Sequence, residues 1–152
     1  MTAQGEDILA WLENAISLRE AAATAAATPY GGNWVQGFPE RHKDPDMHYG
    51  WDADMVHLSQ NDPHMAYQCL SDEIAALTVL YDPESVLRRC AADRKLLELH
   101  APQQDGSGFP DSMQCRTCST ADLGDGYQYL VPAPCPTVLA VAEGYGWTGG
   151  ER

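Results

Sequence analysis

Four residues in the last third of the chain have side chains that bind soft or borderline metal ions. Cys115 and Cys118 form a CxxC pair, His100 precedes the pair, and Cys135 follows it. A CxxC pair in a loop can bend two thiolates toward one point, as in a zinc knuckle, and zinc prefers four thiolate or imidazole ligands arranged as a tetrahedron. The pattern predicts one structural zinc ion bound by Cys115, Cys118, Cys135 and His100.

Other interpretations of the same residues stay open on the sequence alone. Reduced cysteines can be buried without a metal. A CxxC pair can also be a redox motif, although such motifs usually begin at a helix N-terminus after a strand and these flanks are loop-like. His100 can be an ordinary residue at a helix C-terminus, where its charge suits the helix dipole. A zinc bound by three cysteines alone would keep an open position for water, as in a hydrolase.

The elements predicted around the four residues would bring them together. A helix from Asp82 to about His100 would place His100 at its end. A short helix after Pro136 would place Cys135 at its start, where free N–H groups favour a thiolate. The polar segment 101–126 has few large apolar residues and could not order itself by burial alone. A structural zinc contributes about 10–16 kcal/mol of apparent binding free energy and would supply that order.

The rest of the chain predicts an α+β fold that is mostly helical, with a small antiparallel β element and a zinc-stapled C-terminal segment. A helix over 6–27 would bury the stripe that contains Ile8, Leu12 and Ile16. A hairpin would pair the Trp34 segment with Met55–Leu58. Two further helices are predicted over 62–80 and 82–100, each opened by an Asp-Pro pair.

We expect one domain over residues 1–152, because the length fits a single core. Residues 1–101 would form its core of one helix, the β-hairpin and the helix pair. Residues 102–152 would form the zinc-binding loop and a short C-terminal helix. Cys69 and Cys90 lie on predicted apolar helix faces and are expected to be small core residues.

A second group of metal-ligand residue types lies in the segment 41–64. None of its members has a recognised spacing such as HExxH, so we interpret the group as the solvated surface of a loop or strand. A second metal site or a catalytic site is the alternative. The members are His42, His48, His57, His64, Asp44, Asp46, Asp52 and Asp54.

The charge of the chain restricts its partners. Nine lysines and arginines stand against 22 aspartates and glutamates, for a net charge of −13. Such a surface repels phosphate, which disfavours nucleic acid, and attracts a protein partner with a basic surface. The N-terminus lacks the pattern of a signal peptide, no apolar run is long enough to span a membrane, and the odd number of cysteines argues against a disulfide framework. We therefore expect a cytoplasmic protein without a membrane partner.

Several short motifs occur in a specific order along the chain. They are DILAWLE (7–13), Ala27-Thr28-Pro29 followed by WV (34–35), YDPESVLR (81–88), RKLLELH (94–100), CRTC (115–118) and PCPT (134–137). With these motifs the chain resembles a family of small uncharacterised proteins encoded by actinobacteria and their phages. The resemblance extends over nearly the whole chain and implies no activity, but it supports treating Cys115, Cys118 and Cys135 as one unit.

These observations favour a non-enzymatic protein-interaction module that binds zinc. If the chain is phage-encoded, as the resemblance suggests, the module would act on a host protein. The acidic charge and the lack of a catalytic motif in the sequence support it. A nucleic-acid-binding zinc protein and a small zinc hydrolase with an open three-cysteine site are the alternatives.

Overall fold

The fold was determined as a computed structural model, which describes residues 3–37, 54–59, 66–69, 71–107, 109, 112–120 and 129–148. Four helices and two small antiparallel sheets lie within these ranges. This confirms the predicted α+β class, mostly helical with a small β element. The elements in chain order are α1 (Ala3–Tyr30), β1 (Val35–Gln36), β2 (Met55–His57), β3 (Ala66–Gln68), α2 (Asp72–Leu80), α3 (Pro83–Leu99), β4 (Pro102–Gln104), β5 (Met113–Cys115) and α4 (Pro136–Gly144).

The chain packs as two compact units. One consists of Met1–Leu18 with Ala91–Arg152, and the other is Arg19–Cys90. The boundaries fall inside α1 and α3. The single domain divided at residue 101 that the sequence suggested stays a prediction. None of the helices in the described ranges combines the length and the apolarity that a bilayer crossing requires.

In the unit Arg19–Cys90, three short strands form one antiparallel sheet. β1 pairs with β2 so that Val35 faces His57, which confirms the hairpin predicted between the Trp34 segment and Met55–Leu58. β2 also pairs with β3, where Val56 faces Tyr67. Val56 is completely buried in this sheet. The β-branched and aromatic residues of the strands suit such a half-buried surface.

The helix predicted over 62–80 is wrong in its first part. Ala66–Gln68 is a strand paired with β2, and α2 begins only at Asp72, with Ser71 as its N-cap. The Ser71 Oγ accepts a hydrogen bond from the Ile74 N–H at 3.3 Å, so serine satisfies a backbone donor that the start of a helix leaves open. The predicted cap at Asp62 lies outside the described residues.

The start of α3 agrees with its prediction. Asp82 precedes Pro83, is buried, and its Oδ1 accepts a hydrogen bond from the Ser85 N–H at 2.7 Å. Its Oδ2 accepts a second from the Trp34 N–H at 3.3 Å. The Glu84 N–H also donates to the Gly32 carbonyl at 2.9 Å. These bonds attach the segment that follows α1 to the first turn of α3.

In the unit of Met1–Leu18 and Ala91–Arg152, α1 and α4 each bury an apolar face, and the face of α1 is the one that the sequence predicts. α1 contributes Ile8, Leu12 and Ile16, all buried. α4 contributes Val138 and Ala142. This burial is the main source of stabilisation for the unit, because each large aliphatic side chain taken out of water contributes about 1.5–3 kcal/mol.

Two contacts tie the C-terminal residues to the same unit. The Tyr145 hydroxyl donates to Asp93 Oδ2 at 2.8 Å, and Asp93 is only 1% exposed. Trp11 and Trp147 meet edge to face with ring centroids 5.0 Å apart, a geometry that aromatic pairs favour. The end of the described chain is therefore packed against α1 and α3.

The segment after Pro102, predicted as loop, contains a β-hairpin. β4 pairs with β5, and Pro102 faces Cys115 across it. Asp105 closes the turn: its Oδ1 accepts from the Ser107 N–H at 2.8 Å, and its Oδ2 accepts from the Ser112 hydroxyl. Hydrogen bonds from Ser107 and Ser112 hold the pKa of this carboxyl below its ordinary value. The residue types are typical of a turn, and the strands exist because each finds a partner nearby in the chain.

Candidate metal centre

Three elements of one unit deliver the four predicted residues to one place. His100 follows the last residue of α3, and its N–H continues the helical hydrogen bonding to the Leu96 carbonyl at 3.0 Å. Cys115 is the last residue of β5, and Cys118 lies in the turn that follows. Cys135 is the N-cap residue of α4. The four residues thus lie at the end of one helix, at the end of a hairpin and its following turn, and at the start of another helix.

The donor atoms of these residues form a compact group. The His100 Nδ1 lies 3.4 Å from the Cys115 Sγ, 3.3 Å from the Cys118 Sγ and 3.4 Å from the Cys135 Sγ. One ligand atom from each of the four residues lies within 4.8 Å of all the others. Within the described residues, this is the group of metal-ligand side chains that could hold an ion.

The separations fit the edges of a tetrahedron around zinc. Zinc–sulfur bonds of about 2.3 Å and zinc–nitrogen bonds of about 2.0–2.1 Å at tetrahedral angles put nitrogen and sulfur about 3.5 Å apart. The three separations from the His100 Nδ1 differ by only 0.1 Å and lie close to that value. An imidazole equidistant from three thiols is positioned as the fourth corner of the same polyhedron.

The CxxC turn is itself well supported. The Cys118 N–H points at the Cys115 Sγ, 3.4 Å away, and the Ser119 N–H donates to the Cys115 carbonyl at 3.1 Å. N–H groups aimed at a sulfur stabilise its thiolate form. The turn therefore places an N–H group beside the Cys115 sulfur and brings the two sulfurs to the same side of the loop.

The two middle residues of the CxxC motif fasten the turn to the end of α3. The Arg116 guanidinium donates to the Glu98 carbonyl, and the Thr117 hydroxyl donates to the Leu99 carbonyl. The Arg116 N–H donates to the Ala101 carbonyl at 3.1 Å. Helix C-termini leave such carbonyls without partners. The sequence analysis missed this role, and its signal is the arginine and threonine inside the motif, which can donate to a helix end.

A third extended segment leads from the hairpin to Cys135. The Cys115 N–H donates to the Val131 carbonyl at 2.8 Å, and the Ala133 N–H donates to the Met113 carbonyl at 3.1 Å. Gln114 also forms an isolated bridge with Pro132. Residues 131–133 thus run alongside β5, so that the chain reaches α4 with Cys135 beside Cys115.

The thiols differ in burial and in acidity. Cys115 and Cys135 are fully buried, whereas Cys118 is partly exposed. Burial, with the neighbouring thiols of Cys115 and Cys135, raises the pKa of Cys118 to about 11. Burial also acts to raise the pKa of Cys135, but the Val138 N–H at the start of α4, together with the neighbouring thiols, lowers it below its ordinary value. A bound cation would compensate the charge of thiolates held this close together.

The family of the chain is shown by its sequence. Residues 5–145 match DUF6221, a family of unknown function. The chain belongs to this family. The matched range contains all four residues of the cluster, and the match confirms the resemblance to uncharacterised proteins that the short motifs indicated. No curated protein and no solved structure is similar enough to match the chain.

The second group of metal-ligand types has two members in the described ranges. His57 is only 3% exposed, so the prediction of a solvated surface is wrong for this residue, which faces inward from β2. Asp54 accepts a hydrogen bond from the Gln68 side-chain amide at 2.7 Å. The remaining members, His42, His48, His64, Asp44, Asp46 and Asp52, lie outside the described residues.

The two cysteines away from the cluster have different environments. Cys90 is 1% exposed, which confirms that it is a core residue. Cys69 is half-buried and follows β3, so its prediction as a core residue on a helix face is wrong. Its N–H donates to the Asp54 carbonyl at 2.7 Å. Cys69 therefore serves as a matched control in experiments on the cluster cysteines.

Proposed function

We propose that the chain binds one structural zinc ion through Cys115, Cys118, Cys135 and the Nδ1 of His100. The observation that carries this proposal is the equal separation of the His100 Nδ1 from three sulfur atoms, at the edge length of a zinc tetrahedron. Three thiolates and one imidazole are also soft and borderline donors, which bind zinc. Magnesium and calcium instead bind oxygen donors such as carboxylates and carbonyls.

The arrangement favours a structural rather than a catalytic ion. A catalytic zinc keeps a coordination position for water, whereas a structural zinc is closed by four protein ligands. Here the imidazole occupies the fourth corner, and two of the three cysteines are fully buried. The hydrolase with an open three-cysteine site requires His100 to lie outside the polyhedron, so it lacks support from the geometry.

The second part of the proposal is that the zinc-stapled chain is a non-enzymatic protein-interaction module whose partner has a basic surface. The net charge of −13 supports it. The region after His100 contains two arginines and six acidic residues, which disfavours a phosphate backbone as the partner of the zinc region. The resemblance to proteins of actinobacteria and their phages supports a host protein as the partner.

Elemental analysis tests the zinc. The full chain, purified without added metal, is expected to contain about one zinc ion per molecule, and C115S and C135S are expected to lose it. C69S is the matched control and is expected to keep it. Co²⁺ exchanged into the site is expected to give the absorption of a tetrahedral thiolate complex, because coordination geometry is diagnostic of the ligand set.

Two results would contradict the structural role. One is a metal-free chain whose circular dichroism is unchanged by a chelator, since a structural zinc contributes folding free energy. The other is zinc-dependent hydrolysis that C115S abolishes. Binding of DNA or RNA in a gel shift at low salt, where electrostatic binding is strongest, would favour the nucleic-acid alternative over a protein partner.

A further inference from the structure

Helix α2 is apolar on two opposite sides, and only one of them is covered. Ala75 is completely buried. On the other side, Ile74, Leu77 and Leu80 are exposed, and at 100° per residue they form a stripe about 120° wide. Tyr81, the C-cap residue that follows the helix, is also exposed. The members of this exposed stripe, Tyr81 included, are Ile74 (42% exposed), Leu77 (55%), Leu80 (70%) and Tyr81 (68%).

The exposed stripe has the features of an interaction surface. A helix that is apolar all round is normally buried on all sides, and contiguous exposed apolar side chains mark sites of association, whereas scattered ones do not. Tyr67 of β3, which is 38% exposed, forms a side-chain hydrogen bond with Thr78 of α2 and so lies beside the helix. By contrast, Leu18 is a single exposed leucine on α1.

The two charged residues of α2 are both acidic. Between Lys43 and Arg88 the sequence contains nine acidic residues and no lysine or arginine. Among them, Asp72 and Glu73 are exposed in the first turn of α2. A partner that covers the leucines therefore meets an acidic rim formed by Asp72 and Glu73 at the start of the helix, which attracts cations and repels acidic chains.

We propose that the exposed stripe of α2 is the docking site for an amphipathic helical segment of a protein partner, with an apolar ridge flanked by lysine and arginine. The ridge packs on Leu77, Leu80 and Tyr81, and the basic flanks meet Asp72 and Glu73. A second copy of the chain does not meet this description, because its own stripe carries the same acidic rim and like charges repel. The inference rests on the proposed function as a protein-interaction module, and it identifies the exposed stripe of α2 as the surface that binds the partner.

A synthetic peptide tests the surface. The probe is an amphipathic helix with leucine at i, i+3, i+4 and i+7 and lysine on both flanks, titrated against the full zinc-loaded chain at about 0.15 M salt. The expected result is saturable binding that L77S/L80S weakens about tenfold or more, while L18S, matched in residue type and exposure, binds as the parent does. The same peptide with glutamate in place of lysine is expected to bind about tenfold more weakly, and this comparison needs no variant of the chain.

Three results would overturn the assignment: no saturable binding of the lysine peptide, equal affinity for the lysine and glutamate peptides, or equal affinity of L77S/L80S and L18S. Self-association of the free chain that L77S/L80S abolishes would assign the stripe to a second copy instead. If a protein partner is found and its affinity is unchanged by L77S/L80S, the stripe is not the docking site, whereas the proposed interaction function is still supported. The zinc role fails separately, through the metal analysis of the same preparations.

Discussion

His100 has the weakest sequence signal in the candidate metal centre and the most informative geometry. A histidine at the end of a helix is common, and nothing in the sequence around His100 distinguishes it as a ligand. In the structure its Nδ1 lies 3.3–3.4 Å from all three sulfurs. Whether the site is closed or open to water depends on this one side chain, because three cysteines alone would leave a position for water.

Replacing His100 by alanine is expected to lower zinc affinity about 100-fold or more, since even the loss of an outer-shell partner of a zinc ligand costs about 10–100-fold. Competition with a chromophoric chelator measures the affinity, and C69S is the control. Water would complete the coordination of H100A, so the chain is expected to retain zinc when zinc is in excess. An affinity equal to that of the parent would contradict the closed site and favour the three-cysteine arrangement.

Asp93 is a buried acidic residue of the same unit. It is 1% exposed and accepts the Tyr145 hydroxyl at 2.8 Å. Tyr145→Phe removes this donor and leaves the ring in place, so the free energy of unfolding is expected to fall by about 1–2 kcal/mol. Urea denaturation at saturating zinc measures the change.

Tyr129, which is 69% exposed, provides the matched control. Tyr129→Phe is expected to stay within about 0.5 kcal/mol of the parent, as surface substitutions usually do. Equal free energies of unfolding for Y145F and Y129F would show that the hydrogen bond from the Tyr145 hydroxyl to Asp93 contributes nothing to stability.

Among the elements, α3 shows how one capping residue joins local and distant structure. The Asp82 carboxylate accepts the Ser85 N–H of the first turn and the Trp34 N–H from the segment after α1. The first bond belongs to the helix itself. The second is possible only because the chain returns to this point after 48 residues. The same side chain therefore caps the helix and binds the segment that leads into β1.

Asp82→Ala removes both acceptors from a buried position, and the free energy of unfolding is expected to fall by about 2 kcal/mol. Asp82→Asn keeps one side-chain oxygen and is expected to lose less than half as much. Glu84→Ala is the control, because Glu84 forms an exposed i,i+4 pair with Arg88 at 2.7 Å, and such pairs contribute little. If D82A were as stable as E84A, the two hydrogen bonds would be energetically unimportant.

Considering the whole molecule, all the residues of the metal centre belong to one of the two compact units. The strands beside it are three residues long, and a hairpin of that size is not stable by itself in water. The ion would therefore cross-link three elements that burial alone holds weakly. The unit Arg19–Cys90 contains no residue of the cluster.

Removal of zinc by a chelator is expected to give a regional loss of order. Amide hydrogen exchange should accelerate in residues 101–105, 112–120 and 129–136, which form the hairpin and the segment that leads to Cys135. The amides of β2 and α2 are expected to keep their protection, because their packing includes no metal ligand. Uniform acceleration over the chain, or no change anywhere, would contradict the zinc staple, and re-addition of zinc is the control for reversibility.

Much of this protein could be predicted because the decisive signals are local. The apolar stripe of α1, with Ile8, Leu12 and Ile16, is buried as the helical period of the sequence predicts. Helix α3 begins at Asp82-Pro83, where the sequence places the boundary. Cys135 caps α4 ahead of Pro136. Helices close their hydrogen bonds within four residues, so the nearby sequence contains most of the information about where they begin.

The sequence by itself determined the candidate ligand types, the helix ends beside His100 and Cys135, and the pairing of the Trp34 segment with Met55–Leu58. The tertiary structure decided the other pairings between distant residues. Ala66–Gln68 became a strand because β2 offered backbone partners, and the segment after Pro102 became a hairpin because β5 returned alongside it. The equidistance of His100 from three cysteines and the uncovered face of α2 depend on the same long-range packing. Strand partners, ligand geometry and exposure are relations between residues far apart in the chain, and no local pattern contains them.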